Sequence, residues 1–298
     1  MVHTFDLNFQ TTEAIAFFVI PTSEGPVLVE TGPHSTYPYL ESHLKSLGYS
    51  PSDVKHVLLT HIHFDHAGAA WALAKEGAKV YVHPRGYKHL LDPSRLYNSA
   101  KRIYGDMMES LWGQMHSIPE ELLIPVEDGQ TIQIGDTPFL AHHTPGHASH
   151  HIAWQMGDKI FTGDVAGCKI NKGPVVPPCP PPDIDIEAWF DSIDKIVQLN
   201  PKELYLTHYG LVTEVEDHFV GLKKILMDWR DWMKVPFDEK KSLDEITPAF
   251  KAYAANQLRE AGLSEEEVLK YEAANPAWMS VAGLMRYWTK KLEKEQGA

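Results

Sequence analysis

Over the first two thirds of the chain, apolar residues come in short runs broken by turn signals. Ala14 to Ile20 is one run, and Pro26-Val27-Leu28-Val29 follows the turn Thr22-Ser23-Glu24-Gly25. Val57-Leu58-Leu59 and Lys79-Val80-Tyr81-Val82 read as buried strands, the first within Asp53 to Leu59. Leu122 to Val126, Thr131 to Ile134, Pro138 to His142, His151 to Trp154, Lys159 to Thr162 and Glu203 to Thr207 continue the strand pattern. Helical spacing appears between them. Tyr37 to Leu47 stops at Gly48, Ala67 to Lys75 stops at Gly77, and Ile186 to Leu199 precedes the last strand. Residues 86–117 predict irregular helix rich in Met and Trp, expected to pack internally or to form an apolar lid or dimer surface. The stretch PVVPPCPPP at 174–182 holds six prolines and must run extended, since proline donates no backbone hydrogen bond.

After Thr213 the pattern is almost wholly helical, over Glu214 to Trp232, Thr247 to Ala261, Ser264 to Ala274 and Ala277 to Glu293. The expected organisation is an α/β domain over 1–212 and a C-terminal helical domain over 213–298.

Composition narrows the function classes. A net charge of −13 disfavours nucleic acid and anionic membranes as partners. Two cysteines, Cys168 and Cys179, are too few for a disulfide framework, and the N-terminus shows neither a basic nor an apolar signal region. No apolar run approaches the roughly 20 residues of a membrane span. A soluble, cytoplasmic protein acting on a small molecule is expected, with a homodimer through 86–117 or the C-terminal helices as an open option.

Seventeen histidines change the picture, because they cluster. Thr60 to Gly68 reads THIHFDHAG, on the loop between a strand and an alanine-rich helix. Residues two apart on extended chain point the same way, so His61 and His63 can share one metal. Asp65 and His66, at the helix start, can reach a second point nearby. Imidazole and carboxylate suit zinc, with iron or manganese as options. Further ligand types close other strands: His147 in TPGH, Asp164 in TGD and His208 in the late TH. Each follows a strand and sits in a small-residue turn.

In this order, HxHxDH, TPGH, TGD and TH, the chain from about 14 to 212 resembles the metallo-β-lactamase superfamily, most closely its glyoxalase II-like hydrolase branch. The resemblance implies an αβ/βα four-layer sandwich with the metals at one edge. It implies that His61, His63 and His147 hold one metal, that Asp65, His66 and His208 hold the other, and that Asp164 bridges them. It implies two zinc ions that activate a water, with Asp65 orienting the nucleophile and shuttling a proton. Thioester, lactone or related acyl hydrolysis is the expected reaction. Phosphodiester or β-lactam cleavage, and a mononuclear iron persulfide dioxygenase-like oxidation, are the alternatives. Lys169, after a glycine-cysteine segment, resembles the branch's thioester-contacting lysine. Tyr209 and His151 are further candidates for substrate contact, and His150 or His151 could orient a ligand. Two departures stand out. Glu30-Thr31-Gly32 occupies a turn that usually carries aspartate, and the branch's basic glutathione-binding motif is missing from the C-terminal helices.

Overall fold

The computed structural model describes residues 1–297. Twelve strands form two six-stranded sheets. The first contains β1 (His3–Asp6), β2 (Ala16–Thr22), β3 (Gly25–Val29), β4 (His56–Leu58), β5 (Lys79–Val82) and β6 (Leu123–Pro125), side by side in chain order. β1, β2 and β3 are antiparallel, and β3 to β6 are parallel. Helices α1 (Tyr37–Ser46), α2 (Phe64–Ala67), α3 (Ala70–Lys75), α4 (Pro84–Leu91), α5 (Ser94–Tyr104) and α6 (Met108–Trp112) lie in the connections of this half. The second sheet runs β7 (Thr131–Ile134), β8 (Thr137–His143), β9 (Ile152–Met156), β10 (Lys159–Phe161), β11 (Glu203–Leu206) and β12 (Gly210–Val212). Helix α7 (Ile186–Gln198) connects the parallel pair β10 and β11. Helices α8 (Val215–Asp238), α9 (Leu243–Glu260), α10 (Glu265–Ala274) and α11 (Ala277–Gly297) follow.

The apolar runs explain the layering. A strand buried on both faces needs no polar alternation. Phe17 and Val19 of β2 join the cluster under the first-half helices, while Phe18 and Ile20 join the cluster between the sheets. β4 splits the same way, with Val57 outward and Leu58 inward. Trp154 and Phe161 meet that inner cluster from the second sheet. Ile160 and Leu204 face a third cluster with Trp189 of α7, Phe219 of α8, Phe250 of α9, Tyr271 of α10 and Leu284 of α11. The result is the αβ/βα sandwich, and the C-terminal helices share one apolar cluster with its second sheet. Among the described residues, no helix is long and apolar enough to cross a membrane.

Hydrogen bonds tie the two sheets at one edge. Ile152 N donates to Thr60 O at 2.7 Å, Ala16 N to Thr207 O at 2.7 Å, and Trp154 Nε1 to Leu59 O at 2.9 Å. At this edge β4, β8, β10 and β11 end in loops that carry the candidate ligands, and β3 leads into Glu30.

Several expected elements differ. The alanine-rich helix divides into α2 and α3. The expected helix over 86–117 divides into α4, α5 and α6 and ends at Trp112. Gly105 and Gly113, at φ 56° and 70°, interrupt it with backbone that L side chains avoid. β1 and β12 add short outer strands.

Trp154 is fully buried between the sheets. Trp154→Ala is expected to cost about 3–5 kcal/mol in urea denaturation. Trp154→Phe, which keeps an aromatic ring and loses one hydrogen bond, should cost nearer ~1 kcal/mol. An alanine variant as stable as the parent would show that the sheets do not share this core.

Candidate metal centre

The loop after β4 turns straight into α2, with His63 extended at φ −64°, ψ 155° as the residue before it. His61 and His63 therefore precede the helix, while Asp65 and His66 ride its first turn. Thr31 holds this loop from behind, its N–H and Oγ–H both donating to His66 O at 2.9 Å.

Seven side chains converge. His61 Nε2 lies 2.9 Å from His63 Nδ1, which lies 3.1 Å from His147 Nε2. The ligand atoms of His61, His63 and His147 fall within 4.8 Å of one another, as do those of Asp65, His66 and His208. Asp164 stands between the two trios. Its Oδ2 is 3.3 Å from His147 Nε2, and its Oδ1 is 3.3 Å from His66 Nε2 and 3.5 Å from His208 Nε2. His208 Nε2 also approaches Asp65 Oδ2 at 3.4 Å. His66 Nε2 and Asp164 Oδ1 are buried with no hydrogen-bond partner. Buried polar atoms are rarely left unsatisfied, and lone pairs converging in this way fit a bound cation.

Four of the five rings are aimed from behind. His66 Nδ1–H donates to Glu30 Oε1 at 3.0 Å, His147 Nδ1–H to Pro178 O at 2.9 Å, and His208 Nδ1–H to Ala14 O at 2.6 Å. His61 Nδ1–H donates to Thr60 Oγ1 at 3.0 Å, and that hydroxyl donates to Glu30. Fixing one imidazole nitrogen leaves the other free to ligate. His63 alone turns Nδ1 toward the cluster. Glu30 thus does what the sequence left open: it binds His66, Thr60 and, at 3.3 Å, the Thr207 hydroxyl.

The predicted site residues sort accordingly. All seven ligand candidates meet. His151 is buried, with Nδ1 against Thr144 Oγ1 at 2.8 Å and Nε2 accepting from Asp164 N at 3.2 Å. It therefore supports Asp164, and the expectation that it touches substrate gives way. Gly163, at φ 48°, permits this approach, because a Cβ there would collide with Thr60 and His151. Lys169 pairs its backbone with His208 O at 2.6 Å and Tyr209 N at 3.3 Å. Its ammonium acts on His218 of α8, which burial and then Lys169 push down to about 4. Tyr209 is half-buried and packs on two apolar clusters.

Electrostatics differ across the centre. Burial, then the neighbouring rings, hold His61 well below the usual range, and burial with His147 brings His63 to about 4. Burial also depresses His66 and His208, but Asp164 and Asp65 outweigh it and raise both. Burial alone would raise Asp65; His66 and His208 outweigh it and hold it near about 2.

Sequence reasoning missed the residues that grip the supporting carbonyls. Tyr271 of α10 accepts from Ile170 N at 3.0 Å and donates to Pro174 O at 2.8 Å. Asn275 Nδ2 donates to Pro177 O at 3.1 Å, next to the carbonyl that holds His147. Lys270 Nζ reaches Glu13 Oε2 at 2.6 Å, next to the carbonyl that holds His208. Only long-range packing reveals these contacts.

Two facing mixed sheets that deliver a buried histidine–carboxylate cluster to one edge define an α/β-sandwich protein of metal-site type. A family model described as the metallo-beta-lactamase superfamily matches residues 13–208, and the chain belongs to that superfamily, one of metal-dependent hydrolases. It is 33% identical over 177 residues to a metallo-beta-lactamase fold-containing protein of Sulfurisphaera tokodaii, covering 57% of this chain and 66% of the relative. It is 29% identical over 217 residues to a hydroxyacylglutathione hydrolase of Vibrio cholerae, covering 70% of this chain and 64% of the relative. The chain thus spans just under two thirds of the length of these curated relatives. The solved structure of a metallo-beta-lactamase family protein from Thermus thermophilus superposes with a TM-score of 0.72 at 19% identity, over 97% of this chain and 93% of that one. That likeness bears on the fold alone and extends through the C-terminal helices.

Two outcomes are expected. His66 and His208 have pKa values raised by Asp164 and Asp65, so in the metal-free protein each holds a proton to higher pH than a free imidazole does. Metal must displace those protons, so affinity should climb as pH rises through the raised values, with about one to two protons released per chain. Calorimetry in buffers of different ionisation enthalpy measures this. Asn275→Ala should weaken metal binding by about tenfold in a chelator competition, through the loosened Pro178 carbonyl.

Proposed function

We propose that this protein is a binuclear zinc hydrolase of small ester-like bonds: thioester, lactone or a related acyl compound. The observation that carries the reading is the Asp164 carboxylate set between two complete ligand trios, its Oδ1 buried and unpartnered. When bound, the metal ions supply hydroxide at neutral pH and a Lewis acid for the developing oxyanion. His61, His63 and His147 would hold one ion, Asp65, His66 and His208 the other, with Asp164 shared.

The protein's own groups do the rest. The Asp65 side chain keeps 22% exposure against 3% for Asp164, so Asp65 is the carboxylate at the open face. It is ionised at neutral pH and placed to orient an incoming water and to pass a proton to the leaving group. Glu30 and His151 keep His66 and Asp164 in place. The likeness to the hydroxyacylglutathione hydrolase of Vibrio cholerae supports an acyl substrate. Two buried, unpaired cysteines, Cys168 and Cys179, accord with a reducing, cytoplasmic setting.

Elemental analysis of protein purified without added metal or chelator should give two zinc ions per chain. Asp164→Ala and His63→Ala should lower that content and reduce kcat/KM on an ester and thioester panel by at least about a thousandfold. Full activity in either variant would falsify the assignment. One iron per chain, with oxygen consumed on glutathione persulfide, would replace the hydrolase with the oxygenase reading.

A further inference from the structure

Of the seven ligand candidates, only His63 and Asp65 keep appreciable exposure, so a substrate reaches the centre along their edge. Helices α4 and α5 border that edge. Gly86 of α4 packs so closely on Ile62, between His61 and His63, that a Cβ there would collide with it. Tyr97 of α5 sets its ring 6.4 Å from Phe64, between His63 and Asp65. Tyr97 also lines a cleft of about 300 Å³, together with Ser94, Asn98, Met115 and His116.

This border carries charge of the opposite sign to the chain. The protein has 27 lysines and arginines against 40 acids, yet residues 85–102 hold Arg85, Lys88, Arg95, Lys101 and Arg102 with a single acid, Asp92. All five cations are exposed. Lysines elsewhere, such as Lys159, Lys195, Lys223, Lys251 and Lys270, pair with carboxylates. Among the described residues none of these five has such a partner. Asp92 Oδ1 is taken instead by Ser94 N and Oγ. Helix physics accounts for part of the set, because Lys88, Lys101 and Arg102 sit in last turns, where a cation suits the dipole. Arg85 and Arg95 run against it: each is the second residue of its helix, where the dipole disfavours positive charge. Helical spacing groups Arg85 with Lys88, and Arg95 with Arg102, off the faces that carry the buried Gly86, Leu90 and Ala100. Ile103 and Met107, both more than half exposed, follow directly.

Unpaired cations spread over two helices, with exposed apolar side chains among them, do not converge on one small anion. They match an extended surface of opposite charge, and the apolar pair favours protein over nucleic acid. We infer that α4 and α5 form a docking rim for an acidic protein, which presents an acyl group on a tether to the edge between His63 and Asp65. The docking stands on charge and geometry; the delivery of an acyl group rests on the hydrolase reading and deepens it. Water cleaves the tethered thioester at its C–S bond, releasing the carboxylic acid and leaving the thiol on the partner.

Binding is read first, with no bond to cleave. Fluorescently labelled holo-acyl carrier protein, a small acidic protein with a free thiol on a flexible arm, is titrated with the zinc-loaded protein and followed by anisotropy. Binding should appear at about 50 mM NaCl and weaken at least about tenfold at about 300 mM, as screening requires. Arg85→Glu with Arg95→Glu should weaken it at least about tenfold, and Arg85→Lys with Arg95→Lys should keep most of it. Lys240→Glu with Lys241→Glu, the same change of net charge on the turn after α8, should alter it less than about twofold. Circular dichroism confirms that all variants fold. No binding at low salt, or equal weakening in the two glutamate pairs, would overturn the rim. Coenzyme A or oligothymidylate bound as tightly through Arg85 and Arg95 would overturn the choice of a protein partner. Octanoyl-loaded carrier then separates this inference from the function. Docking with no release of octanoate would leave the rim standing and sink the hydrolase reading. Release of octanoate from octanoyl-pantetheine without any carrier binding would keep the hydrolase and remove the rim.

Discussion

The structure turns on one carboxylate. Asp164 comes from the second sheet, and two of the groups around it, His147 and His208, come from that sheet as well. The third, His66, comes from the first. A buried carboxylate is tolerable only where several cationic or hydrogen-bonding groups meet it, because desolvation costs several kcal/mol per ion. The contact therefore requires both sheets to end at one edge in fixed register. Ile152 to Thr60 and Ala16 to Thr207 supply that register through backbone hydrogen bonds. The sandwich core is the scaffold that lets five histidines and two acids share one small volume.

Glu30 shows how a departure from the family pattern is absorbed. Its backbone sits at φ 67°, an uncommon conformation for a non-glycine residue. Its N–H still donates to Leu58 O at 3.1 Å, which keeps the turn against β4. The carboxylate gathers Thr60, His66 and Thr207, one group from each of three neighbouring positions in the site. Glutamate thus fills the role of a buried acceptor hub, and the strain of its backbone is held by the bonds it collects.

Most of the architecture was legible because strands buried on both faces write continuous apolar runs, and each ligand loop begins where such a run ends. The four motifs were legible because metal ligands must be side chains. Other features left no local trace. β1, reading His-Thr-Phe-Asp, and β12, reading Gly-Leu-Val, are too short and mixed to stand out. The breaks at Gly105 and Gly113 fall inside a stretch that reads as irregular helix without marking where each piece stops. Ala14 and Pro178 act through carbonyl oxygens, which every residue has, so no residue type marks them. Ring contacts run from Phe9 through Trp112 and Tyr104 to Trp278, and only folding brings such distant positions together.

The C-terminal helices gain a physical role from the same geometry. His147 and His208 belong to different trios, and each is aimed by a backbone carbonyl on an irregular segment. Such segments have no ladder of their own to hold them. α10 grips both: Tyr271 and Asn275 fasten the proline stretch, and Lys270 with Asn171 fastens Glu13 beside Ala14. Ser280 of α11 adds a bond from Cys179 N at 3.4 Å. Gly283 lets α11 lie directly on the Cys179 carbonyl, where any Cβ would collide. The helices share the apolar cluster of the second sheet, so unfolding them would expose that cluster and release both carbonyls together. The placement of His147 and of His208 is therefore coupled to the docking of α10 and α11, which makes these helices part of the cluster's construction.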